Sequence, residues 1–284
     1  TPQICEMNML VMALVPLCVY AQALLEDLVI QKRSKHDIHI GVVIPYLSND
    51  PRRVELLNIM TTQEHREDIV LVNDGGPEFT GVPNVVHTIT HARHRSIGKS
   101  VMQGYDWLYD NGYNVICNLD SDVLVKPNWL SRSIALVQQY PDSIVSAFNE
   151  RDHLKNCVIK TFSNHYLKNC GGGIHYCFTR GLYREFVQPS LREIETHGGL
   201  DYWDARIIER VQSSNRFVVS PRPSLVQHIG YSGFTASYKN KPFWQFAPDY
   251  ELSTDESNLI GHIPQLRVLM TVGGSSDTSA EKSL

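Results

Sequence analysis

Short β-branched runs alternate along this chain with stretches whose apolar residues recur at helical spacing, and polar turn clusters separate them. Residues 38–44 (Ile-His-Ile-Gly-Val-Val-Ile) run into Pro45, the pattern of a strand buried on both faces of a parallel sheet. Residues 68–72 (Asp-Ile-Val-Leu-Val) repeat it and end in the turn cluster Asn73-Asp74-Gly75-Gly76. Further strands are predicted over 85–89, 114–119, 143–147, 174–178 and 217–219. Helices are predicted over 51–62, where Pro51 suits the first turn, and over 97–111, where Val101, Tyr105 and Leu108 share a face. Two more are predicted over 129–140 and over 201–211, the latter with Ala205, Ile207, Ile208 and Val211 for packing. Residues 221–233 read as a loop and 271–284 as a flexible tail.

Strands alternating with helices predict right-handed βαβ units. The expected class is α/β, with a Rossmann-like, mainly parallel sheet flanked by helices. The expected division is an N-terminal helical segment (1–37), a catalytic domain (38–250) and a C-terminal extension with its tail (251–284). In such sheets ligands gather beyond the carboxyl ends of strands. Those ends carry Pro45-Tyr46, Asn73-Asp74 and Asp120-Ser121-Asp122, so three polar strand ends should meet at one crevice.

Residues 9–25 carry no charge and are interrupted by Pro16. That length is at the short edge of a bilayer span. A helix packed on the domain and broken at Pro16 is the favoured reading. Peripheral membrane contact is the second, because Lys32-Arg33-Ser34-Lys35 follows. A cleaved or spanning segment is the third.

Composition narrows the classes. The chain has 284 residues, 42% hydrophobic and 20% charged, enough to bury a core. Lys+Arg number 26 and Asp+Glu 30, a net charge of −4. There is no strong nucleic-acid signal, since phosphate binding needs clustered cations. The six cysteines (5, 18, 117, 157, 170, 177) contain no Cys-x-x-Cys pair, which disfavours structural zinc. Their spacing does not suggest a disulfide framework, and no Asn-x-Ser/Thr sequon is present. Both points favour a cytoplasmic location, membrane-associated if residues 9–25 touch lipid.

Three motifs carry chemistry. Asp120 and Asp122 bracket Ser121 where an apolar strand ends; paired carboxylates there can hold Mg²⁺ or Mn²⁺ together with a diphosphate. His228, in Gln227-His228-Ile229-Gly230, offers an imidazole that would favour Mn²⁺; alternatively it is an ordinary loop histidine. Asp201 and Asp204 open a predicted helix and share a face. One can cap while the other serves as general base. Gly171-Gly172-Gly173 either lets backbone approach a sugar or forms a tight turn.

In order and spacing these pieces resemble the GT-A glycosyltransferases, most closely the inverting, family 2-like branch. The resemblance spans about residues 38–235 and rests on 44–46, 72–76, 119–123, 171–173, 201–210 and 227–230. The wording of 223–230 is also similar to a loop in some eukaryotic N-acetylglucosaminyltransferases. The resemblance implies a metal-dependent transfer from a nucleotide-sugar, with a UDP-sugar favoured, to a glycan or other hydroxyl-bearing acceptor. It implies metal ligation (Mn²⁺ or Mg²⁺) by Asp122, Asp120 and His228. It places Pro45, Tyr46, Asn73, Asp74, Arg95, Lys99, Asp120, Ser121, Gly172, Gly173, Trp203 and Lys239 around the nucleotide-sugar. Asp204, six residues before Arg210, takes the position of the base, with Asp201 in reserve. The commoner family form has an acid directly before the base, where this chain has Trp203. A nucleotidyltransferase and a non-catalytic carbohydrate-binding protein on a transferase fold are the alternatives.

Overall fold

The computed structural model describes residues 38–47, 67–76, 78, 81–229, 247–253 and 256. The helix expected over 51–62, the tail, residues 9–25, Lys239 and the remainder of 230–246 lie outside the described residues, as do Cys5 and Cys18.

Eleven strands are formed among the described residues: β1 (Ile40–Tyr46), β2 (Asp68–Asn73), β3 (Val85–Thr90), β4 (Val115–Leu119), β5 (Val123–Val125), β6 (Ile144–Val145), β7 (Val158–Thr161), β8 (His165–Lys168), β9 (His175–Thr179), β10 (Val218–Pro221) and β11 (Val226–His228). The helices are α1 (Ile97–Asp110), α2 (Trp129–Gln139), α3 (Arg151–Asn156), α4 (Gln188–Thr196) and α5 (Trp203–Ser213). A π-helical turn at Tyr183–Val187 leads into α4, and a 3₁₀ turn at Leu200–Tyr202 into α5.

Nine strands form one sheet in the order β3-β2-β1-β4-β9-β6-β10-β8-β7. β3, β2, β1 and β4 run parallel. β9 is antiparallel to both β4 and β6, β10 is parallel to β6, and β8 and β7 close the far edge antiparallel. Only β9 and β8 therefore oppose the common direction, and the mainly parallel, helix-flanked α/β architecture expected from the sequence is present.

The central strands β1, β2 and β4 are buried on both faces, so alternate residues feed two cores. Val42, Ile44, Ile69, Leu71, Cys117 and Leu119 pack with α2 through Trp129, Leu130 and Val137. Val43, Val70, Val72 and Ile116 pack with α1, α4 and α5 through Tyr105, Leu108, Leu191 and Ile207. α1 lies close on β1 because Gly104 has no side chain; a Cβ there would come within 2.3 Å of Val43.

Two expectations fail. Cys117 bonds to Cys177 and Cys157 to Cys170. Linear spacing hides both pairs, because the sheet creates the first: Cys117 and Cys177 are directly opposite in the β4–β9 register. The cysteine-based argument for a reducing compartment loses its ground. The stretch read as a loop over 221–233 contains β11, whose partner β5 was also not expected; the two form a separate antiparallel ribbon. No helix among the described residues is long and apolar enough to cross a membrane.

Candidate active site

β4 and β6 run in the same direction with β9 reversed between them. Their carboxyl ends and the start of β9 therefore lie on one edge of the sheet. That edge brings together Asp120–Asp122 after β4, Asn149–Glu150 after β6 and Gly171–Gly173 before β9.

The ribbon of β5 and β11 completes the first group. β5 begins one residue after Asp122, and its register sets His228 opposite Val123. The amide of Ile229 donates to the Asp122 carbonyl at 2.9 Å. A histidine far down the chain is thereby fixed beside the acidic pair. Each of Asp120, Asp122 and His228 offers one ligand atom, and these atoms all lie within 4.8 Å of one another. His228 Nε2 is 3.3 Å from Asp122 Oδ1. On the other side, the Asp120 amide donates to the Ile174 carbonyl at 2.9 Å, tying the motif to the start of β9. Two carboxylates and an imidazole, all half-buried, are a donor set that fits Mn²⁺ or Mg²⁺ with open positions for phosphate oxygens. Ser121 is buried between the two acids.

Asp204 stands at the start of α5, where the helix dipole favours an anion. Its Oδ2 accepts a hydrogen bond from the Gly173 amide at 3.0 Å. A Cβ on residue 173 would come within 2.6 Å of the Asp204 Cβ and 2.8 Å of the Trp203 ring, so glycine is required for the approach. Buried Asn118 holds the same turn, donating Nδ2–H to the Gly173 carbonyl at 2.7 Å while Oδ1 accepts from the Tyr105 hydroxyl at 2.6 Å. Gly172 is less crowded; the nearest atoms to a Cβ there are 3.7 Å away or more. The side chain of Asp201 lies outside the described residues.

The sequence reading missed the groups around β6 and β8. Burial, with the neighbouring Asp152 and Asp204 carboxylates, raises the Glu150 carboxyl to about 7. Lys168 is wholly buried and burial lowers it to about 7; its ammonium donates to Asn149 Oδ1 at 3.0 Å. Burial lowers His153 to about 4, which keeps it neutral, 3.4 Å from Glu150 Oε2. No signal in the sequence marks them, because no periodicity announces β7 and β8.

Several residues expected around the ligand make contacts within the fold. Trp203 is in the core, its ring edge-on to Tyr176 and Tyr105; it precedes Ile207 by one helical turn and shares its face, while Ala205 is exposed. Lys99 is paired with Glu195 on α4. Asp74 is buried and its carboxylate is fully engaged: it meets His91 Nδ1 and His94 Nδ1, both at 2.7 Å, and the amides of Arg95 at 2.8 Å and Ser96 at 3.1 Å. It organises the loop before α1 and holds Ser96 at φ 120°, a conformation side chains rarely adopt. Asn73, also buried, closes its own turn, with Oδ1 accepting from the Gly76 amide at 2.7 Å. Pro45 and Tyr46 end β1, opposite Val72 and Asn73, and both are buried. Arg95 projects an exposed side chain from the same loop.

No family model matches the chain. It is 29% identical over 143 residues to the polyprenol monophosphomannose synthase of Mycolicibacterium smegmatis. The match covers 45% of this chain and 53% of that protein, so the chain spans about half the length of this relative.

Proposed function

We propose that this chain is a metal-dependent, inverting glycosyltransferase that moves a sugar from a nucleoside diphosphate-sugar to an acceptor. The observation that carries the reading is the convergence of Asp120, Asp122 and His228 on the sheet edge where Gly173 presents Asp204. The similarity to a protein named for joining mannose to a polyprenol phosphate supports a sugar-transfer chemistry.

In this reading Asp120, Asp122 and His228 hold the metal. A divalent ion there supplies Lewis-acid stabilisation of the departing diphosphate. Asp204 accepts the proton of an attacking acceptor hydroxyl; an ionised phosphate oxygen would attack without one. The Gly173 amide fixes one carboxylate oxygen of Asp204, leaving the other to meet the acceptor. Asn118 keeps that amide in place through the Gly173 carbonyl. Attack from the Asp204 side, opposite the leaving diphosphate, inverts the anomeric centre.

UDP-sugars are the first donor class to test. The relative's name adds a mannosyl donor and a lipid phosphate acceptor to the glycans and other hydroxyl acceptors. Radiolabelled UDP-glucose, UDP-N-acetylglucosamine and GDP-mannose should be incubated with Mn²⁺ and each acceptor class. Transfer lost on chelation and in Asp204→Asn supports the reading; release of pyrophosphate from a nucleoside triphosphate instead points to nucleotidyl transfer.

A further inference from the structure

Among the described residues the Glu150 carboxyl has His153 Nε2 as a polar neighbour, 3.4 Å from Oε2. Glu150 precedes α3, yet its side chain makes no capping hydrogen bond there. Its side chain is only 16% exposed, and two of the charges acting on it, Asp152 and Asp204, are acidic. Lys168 opposes them, but its ammonium is bonded to Asn149. Neutral His153 sits 3.4 Å away, longer than a good hydrogen bond. A half-buried carboxyl without a close donor is open to incoming hydroxyl donors.

Its neighbours say which donors. Glu150 Oε2 is 3.4 Å from His153, which packs on Gly172, the residue before the Gly173 that holds Asp204; Asp204 and His228 both act electrostatically on Glu150. One would receive the acceptor's proton and the other would help hold the diphosphate. The sugar carbon that changes partners must lie between those two groups. Gly172 lies beside His153, with His153 Cε1 at 3.7 Å and Phe148 at 3.9 Å from where a Cβ would be. His153 Nδ1 is buried with no hydrogen-bond partner among the described residues, a second polar group awaiting one.

We propose that Glu150 reads the transferred sugar: its carboxylate accepts hydrogen bonds from ring hydroxyls of the donor, with His153 as a second contact. The proposal rests on the transferase reading above. Carboxylates suit this work because both oxygens accept, matching adjacent hydroxyl donors. A site built to bond a hydroxyl also discriminates strongly against a sugar lacking it.

The test separates nucleotide from sugar recognition. Dissociation constants are measured on the full chain with Mn²⁺ for UDP, UDP-glucose, UDP-N-acetylglucosamine, GDP and GDP-mannose. Wild type, Glu150→Gln and Glu150→Asp are compared after matching their circular dichroism. For the nucleotide that binds, Glu150→Gln should leave the diphosphate constant within twofold and weaken the nucleotide-sugar at least tenfold. Single-deoxy donors give a readout on wild type itself: at least one should bind at least tenfold more weakly, and Glu150→Gln should not distinguish it from the parent. Nucleotide-sugar binding equal in wild type and Glu150→Gln would overturn the role of Glu150 while leaving the transferase reading intact. Failure of wild type to bind any nucleoside diphosphate would overturn both.

Discussion

The Gly173 amide donates to Asp204 Oδ2 at 3.0 Å, and the two residues are close enough that any side chain at 173 would collide with Asp204. Gly173→Ala should therefore move the carboxylate without removing it. A displacement near 1 Å costs roughly 100-fold in rate. Overpacking should also cost about 1–3 kcal/mol of stability. Transfer assays and a denaturant melt check this, and nucleotide affinity should stay near wild type. A fully active Gly173→Ala would remove Asp204 from the chemistry.

His228 reaches Asp122 only through the β5–β11 ribbon. His228→Ala and Asp122→Asn should each abolish Mn²⁺-dependent nucleotide binding, whereas Arg95→Ala should weaken nucleotide binding and leave its dependence on Mn²⁺ intact. Titration calorimetry with UDP and GDP, with and without Mn²⁺, distinguishes them. Metal-dependent binding that survives both ligand substitutions would place the metal elsewhere.

Glu150 makes a prediction of opposite sign to most site substitutions. Its carboxyl is raised from 4.5 to about 7, so between those values the folded state holds more protons than the unfolded one. Stability falls as pH rises through that window, and the penalty is complete above about 7. Glu150→Gln should then be more stable than wild type at pH 8, by about 1–3 kcal/mol, and no more stable at pH 4.5. Thermal melts at the two pH values decide. A destabilised Gln variant at pH 8 would mean that the ionised carboxylate is well paired in the fold.

The Cys157–Cys170 bridge joins the end of α3 to the residue before Gly171. Cys157→Ser together with Cys170→Ser should cost about 3 kcal/mol, the loop-closure figure for a loop of this size. It should also lower transfer, because the Gly171–Gly173 turn loses its anchor. Equal stability of the double variant and wild type would mean the bridge does not form in solution.

The core was legible because it is written locally. β1, β2 and β4 are continuous apolar runs, and α1 carries its apolar residues on one face. The meeting of Asp120, Asp122 and His228 was legible too, as an acidic pair at a strand end with a late histidine. What the sequence hid depends on long-range pairing. β7 and β8 are short edge strands with mixed burial. The Cys117–Cys177 bridge exists only once β4 and β9 are in register. Nothing local in the sequence singles out Glu150 or Lys168; the sheet order brings Lys168 on β8 to Asn149, next to Glu150. The surroundings of Asp74 were hidden too: two histidines and two amides from the next loop meet its carboxylate.

The central claim is that Asp120, Asp122 and His228 form a metal site for a nucleoside diphosphate. The most direct measurement is the thermal midpoint with UDP, GDP and TDP, each with and without Mn²⁺, for wild type and Asp122→Asn. Ligand at a hundredfold excess over Kd stabilises the folded state by about 2.7 kcal/mol. The account predicts a rise with one nucleotide that requires Mn²⁺ and disappears in Asp122→Asn. No rise with any nucleotide, or the same rise in Asp122→Asn, would contradict it.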